Sequence, residues 1–107
     1  MFLFKLLISS ILLMSFSFST LSADVHKGQK LYLKKLKSKC KLKGNVIAAK
    51  HTVSEWEDIF EAGDLSKEIQ DICPKVKDKS LKQKYMIHYF DFFKEYGSDS
   101  GNVPSCG

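Results

Sequence analysis

Cys40, Cys73, Cys106, His26, His51, His88 and Met86 are the side chains of this chain with redox or ligating chemistry to offer. Their spacing rules out most of that chemistry. No two cysteines form a Cys-x-x-Cys pair, so the short-spaced redox, zinc and haem-attachment signatures are absent. Three cysteines instead suit an oxidising compartment, with one disulfide and one thiol left over. Three single pairings exist, and Cys40 with Cys73 is favoured because these two emerge first during export and both follow predicted helix ends. That closure is worth on the order of 3 to 4 kcal/mol. Cys106 then stays free, replaces one of the pair as an alternative partner, or links two subunits into a dimer. A thiol-based redox protein would need a depressed-pKa cysteine beside a histidine. Every cysteine and histidine here combines equally well on paper, so no catalytic residue is assigned and the chain is read as non-enzymatic. Glu55, Glu57, Asp58 and Glu61 sit in the opening turns of a predicted helix, where acids favour its positive end.

The compartment follows from the first residues. Lys5 precedes an apolar run from Leu6 to Phe18 with only small polar residues between, and Ser22 and Ala23 offer a cleavage point. The run is short for a membrane span and has the order of an export signal. Residues 1–23 are therefore expected to be a signal peptide cleaved near Ala23, and 24–107 a single small helical domain in the periplasm. Such a short chain builds only a thin core, for which a disulfide matters.

Charge is divided along that domain. Residues 24–54 hold nine lysines and one acid, whereas 55–107 hold seven lysines and eleven acids. Arginine is missing altogether, so bidentate forks for phosphate or carboxylate are missing too, which argues against a specific nucleic-acid reader. Lys30, Lys34, Lys35, Lys37, Lys39, Lys41 and Lys43 are expected to form a basic face for an acidic periplasmic protein or an anionic membrane surface.

Helices must position these groups. Leu31, Tyr32 and Leu36 recur at helical spacing across 25–38, and 41–51 reads as a loop turned by Gly44 and Asn45. Thr52 and Glu55 form a capping box for a second helix whose Trp56, Ile59 and Phe60 face inward and which Gly63 ends. Asp64 is placed to cap a third, with Leu65, Ile69 and Ile72 on one side and Pro74 after it. Ser80 starts the strongest helix, 81–96, with Gly97 as its stop. Tyr85, Tyr89, Phe92 and Tyr96 form an aromatic stripe there, widened by Phe90 and Phe93. The remaining residues read as an irregular tail held by Cys106. The fold class is all-α, with about four short helices.

Gly28 to Tyr32, following an export signal, resembles the Gly-x-x-x-aromatic start of class I cytochromes c. In those proteins the first helix packs its glycine on an aromatic-rich last helix. Ala48 to Thr52, Glu55 to Glu57, Cys73 with Pro74, and the stretch from Tyr96 to Cys106 are similar to a family of small exported bacterial proteins labelled cytochrome c. The resemblance implies a cytochrome c-like arrangement, with Gly28 and Tyr32 packed against Tyr85, Tyr89 and Phe92, and an electron-transfer role. Haem attachment needs Cys-x-x-Cys-His, however, and the expected place holds Leu36, Lys37, Ser38, Lys39 and Cys40. No cofactor or metal site is therefore expected. The alternative is noncovalent haem, with Met86 opposite His51 or His88, although Met86 and His88 stand about 200° apart on one helix.

Overall fold

The computed structural model describes residues 21–103. Most of the expected export signal and Cys106 lie outside the described residues. The described chain is all-α: α1 (Leu21–Leu31), a π-helical turn (Tyr32–Leu36), α2 (Lys37–Cys40), α3 (Gly44–Ala48), α4 (Val53–Glu61), α5 (Leu65–Ile72), a 3-10 turn (Asp78–Ser80) and α6 (Gln83–Glu95). Among the described residues no helix is long and apolar enough to cross a membrane.

The π turn has a cause in the sequence. Gly28, Tyr32, Leu36 and Cys40 recur every four residues, and an α-helix carries a stripe of that period about 40° further round its axis with each repeat. A π turn holds more residues per revolution and takes up the drift. Tyr32 and Leu36, at its two ends, are thus both fully buried. The helix read over 25–38 therefore runs from Leu21 to Cys40, with this turn in its middle.

Gly28 sets how closely that helix meets α6. A Cβ at position 28 would overlap the His88 carbonyl oxygen and lie 2.9 Å from Phe92 Cβ. Only hydrogen fits there. The contact lets Tyr32 reach the rings of Phe92 and Phe93, with centroids 5.9 and 6.2 Å away.

α6 packs against α1, α3, α4 and α5. A helix covered on several sides must be apolar beyond one stripe, and every residue from Tyr89 to Phe93 is buried. Tyr89, Phe92 and Phe93 are fully buried, whereas Tyr85 and Tyr96 sit at the rim, which narrows the predicted stripe. Trp56 of α4 stacks on Phe93 at 4.7 Å, and Phe60 on Phe90 at 4.2 Å.

Local chemistry explains the helix ends. Thr52 Oγ1 accepts from the Glu55 amide while the Glu55 carboxylate accepts from the Thr52 amide, closing the expected capping box. At the other end of α4, Gly63 takes φ +78°, its amide donates to the Phe60 carbonyl, and the Asp64 amide donates to the Ile59 carbonyl. These two bonds make a Schellman stop, which needs the left-handed conformation glycine adopts without penalty.

Three expectations are corrected. Residues 41–51 are not all loop, because Ile47 and Ala48 are drawn into the core and wind Gly44–Ala48 into one helical turn. Asp64 precedes α5, but its side chain makes no cap bond. Ser80 and Leu81 belong to the 3-10 turn and its exit, so α6 starts at Gln83. α6 does stop just before Gly97, with Tyr96 as its last cap residue, and a Cβ at Gly97 would come 3.0 Å from the Val53 amide, so the glycine also serves close packing.

Gly28→Ala should destabilise the fold by about 1–3 kcal/mol, because the obstructing atom is backbone and cannot rotate away; chemical denaturation of the two proteins measures it. Tyr32 supplies a pH test. Its hydroxyl donates to the Leu42 carbonyl at 2.5 Å, and burial pushes its pKa up to about 12. An unfolded tyrosine ionises near ~10, so between about pH 10 and about pH 12 the folded chain keeps a proton the unfolded chain has lost. Stability is full below that window and falls through it. Tyr32→Phe should reduce the fall, read from urea midpoints at about pH 9 and about pH 11.

Candidate functional site

Two chain segments far apart in sequence form a basic groove. One wall is the π turn and α2, carrying Lys34, Lys35, Ser38 and Lys39. The other is the stretch after Cys73, carrying Lys77, Lys79 and Ser80; together these seven residues line one hollow. A second hollow, lined by Lys39, Pro74, Lys75, Val76 and Lys77, shares two of its lysines with the first. Lys39 and Lys77 thus stand at the boundary of both.

The Cys40–Cys73 disulfide holds the walls together, with a Cα separation of 4.7 Å at the ends of α2 and α5. Alternation along the second wall then aims its lysines outward. Val76 turns into the core at 3 % exposure, and the Asp78 carboxylate accepts a 3.0 Å bond from Gln70 Nε2. The residues between them, before and after, are lysines. Tyr89 secures the far end by donating its hydroxyl to the Ser80 carbonyl at 2.8 Å.

The acid nearest in sequence, Asp78, is exposed and hydrogen-bonded to Gln70, and neither hollow is lined by a carboxylate. Among the described residues, none of Lys34, Lys35, Lys39, Lys75, Lys77 and Lys79 pairs with an acid. Lys35 instead lies over the Tyr85 ring, 5.1 Å from its centroid. A concentration of unneutralised charge in a concave surface focuses potential and attracts anions.

The predicted basic residues divide. Lys34, Lys35 and Lys39 join the groove, while Lys37, Lys41 and Lys43 line a shallow hollow with Leu33 and with Ser38, which also borders the groove. Lys30 is exposed on α1 and lines neither. Lys75, Lys77 and Lys79 were missed by sequence reasoning. Their signal was the favoured disulfide itself, since Cys73 bonded to Cys40 carries the following lysines to Lys39.

The histidines do not gather round a cofactor. His51 Nε2 lies 2.7 Å from the Glu68 carboxylate and Nδ1 lies 3.3 Å from that of Glu55, while the ring edge meets Trp56 at a centroid distance of 4.8 Å. Glu55 is held below the ordinary carboxylate range, first by the Thr52 amide and then by His51. The Ser98 amide donates to the His51 carbonyl and Asp99 Oδ1 accepts from the Val53 amide, so the tail is pinned to the start of α4. The cluster is a clasp between α4, α5 and the tail.

Met86 borders a hollow of about 50 Å³ with Phe60, Gly63, Leu65, Ser66 and Gln83. His51 is not among its lining residues and meets Trp56, Glu55 and Glu68 instead. His88 meets Gly28 of α1 through its backbone, where the helices leave no gap. Among the described residues no cluster of three His, Cys, Asp or Glu side chains is arranged to hold a metal ion. Cys40 and Cys73 are consumed by their bond, so a thiol reaction would fall to Cys106, outside the described residues.

Replacing Cys40 and Cys73 together by alanine should cost on the order of 3 to 4 kcal/mol, as expected for a loop closed across 33 positions. Guanidinium titration measures that loss, and adding dithiothreitol to the unsubstituted protein should reproduce it.

Comparisons of the chain with protein-family models, with curated proteins and with solved structures give no match, so what the groove does rests on its own residues.

Proposed function

We propose that this chain is an exported, non-enzymatic docking protein whose lysine groove binds an acidic protein partner in the periplasm. The observation that carries the reading is the trough between α2 and the stretch after Cys73, where six lysines stand without an acidic partner among the described residues. Ammonium groups on flexible stems attract carboxylates without demanding one geometry, which suits docking more than catalysis. The apolar leader and the Cys40–Cys73 bond support an oxidising compartment as the place of action. The proposal keeps a cytochrome c-like frame without haem, in which Gly28 packs against the aromatic α6.

Docking through exposed lysines is screened by salt. The immobilised protein should retain acidic proteins from a periplasmic extract at about 0.05 M salt and release them at about 0.5 M. A variant with Lys34, Lys35, Lys39, Lys75, Lys77 and Lys79 changed to glutamine should retain none of them. Retention that survives salt or these substitutions would sink the proposal, as would binding only to anionic phospholipid vesicles.

A further inference from the structure

The shape of the groove says what form the acidic ligand takes. Its lysines stand in two opposed rows: Lys34, Lys35 and Lys39 on the helical wall, and Lys75, Lys77 and Lys79 on the wall after Cys73. Lys34, Lys35 and Lys39 share the first hollow with Lys77 and Lys79, and Lys39 and Lys77 also border the second. In the second row Lys77 is extended, at φ −95° and ψ 159°, and Lys79 lies in the 3-10 turn; between them and Lys75 stand Val76, which is buried, and Asp78, which accepts from Gln70.

The hollows measure about 450 and 430 Å³, which is far too open to enclose a single small anion. The trough has serine hydroxyls at its sides, from Ser38 and Ser80, and no large apolar side chain at its first hollow. That first hollow lacks the apolar anchor on which flat protein interfaces depend, and the second adds only Pro74 and Val76. An extended polypeptide suits it better, since successive side chains point to opposite edges at a rise of about 3.3 Å per residue. A run of consecutive acids would send alternate carboxylates to each wall.

We infer that the groove takes an extended acidic polypeptide segment, with carboxylates on both edges, lying between the two lysine rows. This rests on the docking reading above and names the partner's form. A folded acidic surface presents carboxylates to one row at a time, whereas such a segment meets both.

The test uses two fluorescein-labelled peptides with equal numbers of glutamates, one with the glutamates consecutive and one with them alternating with glycine. When extended, the alternating peptide places its carboxylates along one edge only. Fluorescence anisotropy at low salt should give the consecutive peptide about tenfold higher affinity, the sum of a few exposed ion pairs. Changing either row to glutamine, Lys34, Lys35 and Lys39 or Lys75, Lys77 and Lys79, should abolish that preference. The charge-matched control, Lys27, Lys50 and Lys67 changed to glutamine, should keep it. Circular dichroism checks that each variant is folded.

Equal affinity for the two peptides overturns the inference, as does a preference that survives loss of either row. Displacement by inorganic phosphate at the ionic strength of a sodium chloride control that leaves the peptide bound also overturns it, by marking a small-anion site. Failure here with salt-sensitive capture of acidic proteins intact removes the extended segment and leaves docking standing. Loss of both removes the docking reading as well.

Discussion

A missing side chain at position 28 governs the structure. Because a Cβ there would strike the His88 carbonyl, α1 and α6 approach only as a glycine permits, and that approach determines where every later residue of the first helix falls. Tyr32 and Leu36 enter the core from the ends of the π turn, and Cys40 arrives one further repeat along, within bonding distance of Cys73. The basic groove lies just outside that bond. The helix that meets α6 at Gly28 thus also carries lysines of the groove, Lys34, Lys35 and Lys39, further along.

The loops are held by the same aromatic residues that fill the interior. Tyr32 donates to the Leu42 carbonyl, the Trp56 indole N–H to the Ala48 carbonyl at 2.8 Å, and Tyr89 to the Ser80 carbonyl. Each ring lends its apolar body to the core and its polar tip to a backbone oxygen that would otherwise lack a partner at the core's edge. Burial holds the Tyr32 and Tyr89 hydroxyls in the neutral, donating form, pushing both phenols upward. A small helical protein gains order in three connections without long helices to brace them.

What was legible in the sequence was mostly local. The capping box at Thr52, the stop at Gly63, the inward faces of α4 and α5 and the aromatic character of α6 all depend on neighbours within a few positions. The favoured Cys40–Cys73 pair agrees with the structure for a related reason: both cysteines close helices whose ends were readable. The π turn was harder, because its cause is a period of four that conflicts with 3.6 only once another helix fixes the direction of the core. The short α3 was hidden by Gly44 and Asn45, whose turn signal is strong until Ile47 and Ala48 find burial. Lys75, Lys77 and Lys79 escaped notice because a lysine run split by Val76 and Asp78 reads as solvated surface. Its meaning depends on Val76 turning inward and Asp78 turning to Gln70.

A covalent hinge under mobile charges makes physical sense for docking. The disulfide and the Tyr89–Ser80 bond restrict the backbones of the two walls, so little backbone order has to be created when an anion arrives. The lysine stems remain long and exposed, and each ammonium keeps most of its hydration until contact. Arginine would form tighter forks with carboxylates, at the cost of fixed planes and directions. Lysine alone, on a rigid trough, favours rapid encounter with acidic chains and tolerance of their exact spacing, and it leaves affinity open to ionic strength. Under the proposed docking role, selectivity comes from where the two walls hold their lysines more than from the direction of any single bond.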